Sequence, residues 1–233
     1  SAAGLTGIEC ATSGGATTEA GDLGTLYFPD SQMLTRPSGA ITQSGQWLAR
    51  GFTGWERPSL TLNNAWLRFP HAGFELEVTN DLVIAGTDNR IHKLELSNAV
   101  VRCSGNVLVN KSTLALNRGI QTGSSLYCAG FLMVSNSAAF HIQAGIVANP
   151  QTPGAWVSVT GDVVTAGASW IYPYSHPTNG GSVAFQAANF VFGGTGGINA
   201  TGLGYKGGDK VNCRGYGPGG GWASNTSVGG SYG

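Results

Sequence analysis

Arg68, Lys93 and Arg118 follow one another at equal intervals along the chain, and cations at one repeat interval suggest a strip that grips a polyanion. Like charges stacked along one face repel unless something anionic offsets them. Such a strip suits an acidic polysaccharide, or the base region of a polysaccharide lyase, with Arg90 and His92 beside it. The plainer alternative is three unrelated surface cations in loops. Trp156, Trp170, Tyr172 and Tyr174 form the densest aromatic group, with His176 close behind. Exposed rings offer flat apolar faces of the kind on which sugars stack, whereas buried rings fill a core. Alternation puts residues 170, 172 and 174 on one side of a strand. Trp170 is expected in the core, and Tyr174, between Pro173 and Pro177, at a turn.

The cysteines leave two possibilities open. Cys103 and Cys128 are separated by the same interval as those cations, so stacking on adjacent coils would bring their Cα atoms to about 4.8 Å, within disulfide range. They serve equally well as two reduced core residues. Cys10 and Cys213 remain for a second bridge. With no Cys-x-x-Cys and no Cys/His cluster, neither a metal nor a cofactor is expected. The glycine patterns Gly202-Leu203-Gly204-Tyr205-Lys206-Gly207 and Gly215-Tyr216-Gly217-Pro218-Gly219-Gly220 open no helix, so they are not read as dinucleotide sites. Carboxylates for paired hydrolysis are few: Asp81, Asp88, Asp162 and Asp209, with Glu75, Glu77 and Glu95. Asp81 and Asp162 both follow a corner, but two coils separate those corners, which is poor geometry for a pair.

The elements that must position these residues are strands. Helix signals are nearly absent, and β-branched residues recur between Gly and Asn. A phrase of two apolar alternations around a small or Asn residue repeats at Leu76–Ile84, Val101–Val109, Leu126–Val134, Val157–Val164 and Phe185–Phe192, centred on residues 80, 105, 130, 161 and 189. Asn and Gly tolerate a left-handed backbone, so each centre reads as a corner joining two short strands. Near-regular recurrence of this phrase, with several strands per repeat, predicts an all-β parallel β-solenoid, a right-handed β-helix. Longer gaps, such as Asn149–Gly154, are expected as loops at corners. The competing architecture is a β-sandwich or jelly roll, whose hairpins call for more than the single Asn-Gly pair at Asn179-Gly180. Residues 1–65 lack the phrase and read as an N-terminal cap or atypical first coil. Residues 66–192 read as solenoid coils. Residues 193–233, with 16 glycines, read as a glycine-rich segment.

Composition narrows the function. The chain of 233 residues is only 10% charged and has no net charge, so electrostatic binding of nucleic acid or an anionic membrane is not expected. No apolar run is long enough to insert in a membrane as a helix. Nineteen of the 24 charges precede residue 119, leaving a nearly neutral second half with few groups able to move a proton.

The stretch Trp170-Ile171-Tyr172-Pro173-Tyr174-Ser175-His176-Pro177-Thr178-Asn179-Gly180-Gly181-Ser182-Val183, with Gly197–Tyr205 and Gly217–Gly221 after it, resembles glycine-rich β-helical segments of large secreted or cell-surface bacterial proteins. The resemblance runs from about residue 75 to the end. It implies a piece of a long extracellular chain, at times beside carbohydrate-active or adhesive neighbours, and transfers no catalytic residue. The chain is accordingly expected to be an extracellular or cell-surface structural or adhesive module. Such a module would assemble with its own copies into a fibre or layer, or continue in a longer chain, and touch glycans through Arg68, His92, Lys93, Arg118, Trp156, Tyr172 and Tyr174. The alternatives are a polysaccharide lyase or hydrolase working along the solenoid face, and a non-catalytic carbohydrate-binding module of a larger enzyme.

Overall fold

The computed structural model describes residues 24–29, 39–88, 91–119, 123–149, 152–178, 181–207 and 215–216. Short strands bounded by Asn, Gly and Ser cannot bury an apolar face alone, so they stack. Two strands come first, β1 (Thr25–Phe28) and β2 (Gly45–Ala49). Six turns of three strands follow. Turn one is β3 (Gly54–Arg57), β4 (Leu60–Asn63) and β5 (Trp66–Phe69); turn two is β6 (Glu75–Val78), β7 (Leu82–Ala85) and β8 (Lys93–Ser97). Turn three is β9 (Val100–Cys103), β10 (Val107–Asn110) and β11 (Thr113–Asn117); turn four is β12 (Ser125–Cys128), β13 (Leu132–Ser135) and β14 (Ala139–Gln143). Turn five is β15 (Ala155–Val159), β16 (Val163–Ala166) and β17 (Trp170–Tyr174); turn six is β18 (Val183–Gln186), β19 (Phe190–Phe192) and β20 (Gly197–Ile198).

Among the described residues every pairing is parallel, and the strands sort into three sheets by their place in the turn. The first sheet holds β3 through β18, the second β4 through β19, and the third β5 through β20, extended by β2 and β1. The fold is therefore the parallel β-solenoid, and the hairpins of a sandwich are absent from the described residues.

Alternation inside each strand builds the core. Leu67, Leu94, Leu114, Phe140 and Ile171 form one inward column of the third sheet, all fully buried. Leu76, Val101, Leu126 and Val157 do the same in the first sheet. Each such side chain stabilises the stack by roughly 1.5–3 kcal/mol of apolar burial. The N-terminal end is closed by rings: Phe28, Trp47, Phe52, Trp55, Phe69 and Phe74 pack with centroids 4.9–6.1 Å apart. At the other end, Phe190 and Phe192 stand in the inward positions above Val163 and Thr165 yet are 41% and 49% exposed.

Two expectations about the corners change. None of residues 80, 105, 130, 161 and 189 has a positive φ. Left-handed residues occupy the second corner instead, where Asn64, Lys111, Asn136, Ser137, Gly167 and Gly194 have φ between 46° and 72°, and the return from the third sheet to the first, where Gly51, Gly73 and Asn98 have φ between 49° and 74°. In the middle turns glycine suits the first corner through closeness: a Cβ on Gly130 would stand 2.6 Å from the Gly105 carbonyl oxygen and on top of Asn106 Oδ1. In the last repeat the corner residue is Ala188, whose N–H bonds Gly161 O, rather than Asn189. Asn189 lies one position on, in a polar ladder in which its Nδ2 donates to Asp162 Oδ1 and Asn106 donates twice to Asp81 Oδ1.

Cys103 and Cys128 stack in register, but both are free, buried thiols. Each Sγ turns to backbone oxygens: Cys103 to Asn80 O at 3.0 Å, Cys128 to Gly105 O at 3.3 Å. In-register parallel neighbours hold their Cα–Cβ bonds side by side, which disfavours the near-perpendicular torsion of a disulfide. The hydrogen bond with Cys128 draws the Cys103 thiol down to about 7 against burial, while the same contact and burial push Cys128 up. Cys10 and Cys213 lie outside the described residues, as does Arg90.

Candidate functional site

The outward side of the third sheet gathers most of the chain's chemistry. Its central outward column runs Arg68, Glu95, Ala115, His141 and Tyr172, one residue per turn from β5 to β17. Trp66, Lys93, Thr113, Ala139 and Trp170 form the column beside it, and Ser97, Asn117, Gln143 and Tyr174 flank the other side. Glu95 and Ala115 point outward but are only 6% and 3% exposed. They form the floor of a trough between taller side chains, parallel to the solenoid axis.

At one end of the trough, Glu95 organises a charged cluster. Its Oε2 accepts from Trp66 Nε1 at 2.7 Å and from Arg68 Nε at 3.0 Å, and its Oε1 from Lys93 Nζ at 2.7 Å. Arg68 and Lys93 also lie over the Trp66 ring, each 5.8 Å from its centroid. Burial acts to raise the Glu95 pKa, but the hydrogen bonds from Lys93 and Trp66 and the two cationic charges together outweigh it. The carboxyl is held below its ordinary value and stays ionised, so at neutral pH it has no proton to give.

The other end is aromatic. The His141 ring stacks on Tyr172 with centroids 4.6 Å apart and planes 14° apart, and its Nδ1 is hydrogen-bonded to the Tyr174 hydroxyl at 2.9 Å. Burial first, then the positive charge of Lys93, lower the His141 pKa and keep the imidazole neutral. Burial and the neighbouring Tyr172 raise that of Tyr174. Loops emerge from this edge of the sheet, and their bases are locked by close backbone contact: a Cβ on Gly154 would stand 2.6 Å from Gly145 O and 2.8 Å from Gly181 Cα.

Arg68, Lys93 and Arg118 do not form a column. Arg68 faces Glu95 and Lys93 faces Trp66, so the two cations occupy adjacent columns, and Arg118 lies just past β11, where its N–H reaches Gln143 Oε1 at 3.4 Å. Glu95 supplies the offsetting anion. His92 is 4% exposed at a corner, with Nε2 bonded to Asp88, away from the trough. Trp156 belongs to the first sheet, half-buried between Ser125 and Ala184, and is thus on a different face. Trp170 is half-buried on the outer surface rather than in the core, and Tyr174 closes β17 rather than sitting in a turn. Sequence reasoning missed Trp66, Ala115 and His141. The one signal for them is alternation: each lies an even number of residues from an outward neighbour on its own strand.

Comparison with known proteins finds no family model, curated protein or solved structure that matches the chain.

Proposed function

We propose that the chain is an adhesive β-solenoid module of the cell surface or extracellular space that holds a polysaccharide chain along the trough of its third sheet. The observation that carries this reading is the unbroken outward column from Arg68 to Tyr172, charged at one end and aromatic at the other. Successive floor residues are one strand spacing apart, about 4.8 Å, close to the length of one pyranose unit in an extended chain. A rigid array with that step supports successive sugars at low ordering cost, with charged groups at one end and aromatic faces at the other. Glu95 is the sole carboxylate among the described outward residues of this sheet and is held ionised, which favours binding over two-carboxylate hydrolysis.

Affinity electrophoresis through gels containing soluble polysaccharides tests the proposal. Retardation by at least one polymer is expected, lost when Tyr172 and Tyr174 are both replaced by alanine in a chain that keeps its β circular dichroism. No retardation across neutral and acidic polymers would overturn it. The same incubations, followed for the ultraviolet absorbance of unsaturated sugar ends, should stay silent; a rise would replace binding with lyase action, for which neutral His141 is the candidate base.

Self-assembly is a second reading, supported by the exposed Phe190, Val191 and Phe192 of turn six. Unpaired last strands of a stack are templates for strand addition. Sedimentation velocity over a concentration series should then show association that Phe190→Ser with Phe192→Ser abolishes; a monomer at every concentration would exclude it.

A further inference from the structure

We infer that the glycan taken by this trough is anionic, with an acidic substituent seated at Lys93 and Arg68 while neutral ring faces rest on the His141 and Tyr172 end. The inference rests on the glycan-binding reading and adds the ligand's charge. The chain as a whole has no net charge, yet the described outward residues of the third sheet and its edge carry Arg68, Lys93 and Arg118 against Glu95 alone. The acidic side chains of the same turns are elsewhere. Glu56 and Glu77 pair on the outside of the first sheet, with Glu75 on the same strand. Asp81 and Asp162 are in the first-corner ladder, and Asp88 is held by His92.

The cluster is built so that its cations reach outward. Glu95 lies beneath them with a side chain 7% exposed, and the Arg68 and Lys93 side chains are each 25% exposed. The Lys93 ammonium has three protons, and among the described residues it gives one hydrogen bond, to Glu95 Oε1. Its remaining donors are available to an incoming oxyanion. The buried carboxylate fixes the position of both cations in advance, so little side-chain entropy is lost when an anion binds. From Lys93 to Tyr172 is three strand spacings, about 14 Å, so a ligand of three to four sugar units reaches both ends. Carboxylate and sulfate ester share the required charge, and the experiment separates them.

Binding is measured by calorimetry on the full chain, using oligomers of a polyuronate, the same oligomers after carboxyl reduction, and a sulfated neutral glucan. The expected result is at least one acidic polymer bound about tenfold or more tightly than the reduced one, the size of one charge-assisted hydrogen bond. Preference for the polyuronate identifies a carboxylate, and preference for the glucan sulfate identifies a sulfate ester. Lys93→Gln, which keeps an N–H for Glu95 while removing the charge, should erase most of that preference. Thr113→Lys, which adds a cation next to Lys93 in its own column, should increase it. Equal binding of acidic and reduced oligomers, or an acidic preference unmoved by both variants, would overturn the inference and leave the proposed function standing. No binding to any of the polymers would overturn both.

Discussion

Replacing Glu95 by glutamine tests whether the charged cluster is a designed support or a chance meeting of surface ions. The carboxylate receives donors on both oxygens: Trp66 and Arg68 on Oε2, Lys93 on Oε1, at 2.7–3.0 Å. A glutamine has one oxygen and one amide group. Its oxygen can serve Trp66 and Arg68, but the amide then turns two N–H donors toward the Lys93 ammonium, so one charge-assisted bond is lost and replaced by repulsion. Loss of such a bond at a buried acceptor costs about 1.5–3 kcal/mol, discounted toward the lower half because both cations are partly exposed. About 2 kcal/mol corresponds to a fall of roughly 4–8 °C in melting temperature for a chain of this size. The pH dependence carries a sign. The folded pKa of Glu95 is lowered, so its contribution is full above the unfolded value of about 4.3 and fades as pH falls through the folded value. Thermal melts of both proteins between neutral and acid pH should therefore differ most at neutral pH and converge in acid. Curves within about 0.5 kcal/mol at neutral pH, or parallel over the whole acid limb, would refute the argument, since that is the size of an ordinary surface pair.

Gly130→Ala should destabilise the stack by about 1–3 kcal/mol through steric crowding, because the added carbon meets the Gly105 carbonyl oxygen at 2.6 Å. Gly39→Ala, with open space around it, should be nearly neutral in the same urea titration. Phe140→Ala removes a fully buried ring from the inward column of the third sheet and should cost about 3–5 kcal/mol, read from the urea midpoint. Alkylation of the unfolded, unreduced chain followed by peptide mass spectrometry should find Cys103 and Cys128 both modified; a linked peptide pair would contradict the free thiols. Lys93→Met removes a positive charge that lowers the His141 pKa, so the imidazole proton signals should titrate at higher pH than in the parent chain, and an unmoved midpoint would break the link between the two ends of the trough.

The difference between what was legible and what was not follows from loop length. In the first two sheets the middle turns repeat at a constant interval: Val78 pairs with Cys103 and Cys103 with Cys128, Leu82 with Val107 and Val107 with Leu132. A residue's role there can be carried from one turn to the next by adding that interval, which is why the repeat and the stacked cysteines could be read directly. The third sheet obeys no such rule. The second-corner segment before β8 runs from Gly86 to His92, whereas the one before β11 is Lys111 and Ser112 alone. Trp66 therefore pairs with Lys93 across a longer step of chain than the regular turns take, and Lys93 pairs with Thr113 across a shorter one. The equal spacing of Arg68, Lys93 and Arg118 is thus a coincidence of numbering across unequal loops.

The same irregularity shapes the outward face of this sheet. A strictly periodic face stacks identical positions, and identical charges in register repel, so a periodic cation column is self-defeating without an interposed anion. By shifting register at the long corner before β8, the chain sets Glu95 opposite Arg68 and Lys93 opposite Trp66. The short corner before β11 then places Ala115 over Glu95, and the next turn places His141 over Ala115. A small side chain, Ala115, between a charged pair and a stacked aromatic pair is what leaves a trough rather than a ridge. All three sheets supply inward residues to the core, and the unequal steps of the third sheet through the middle turns bring different outward residues together from turn to turn.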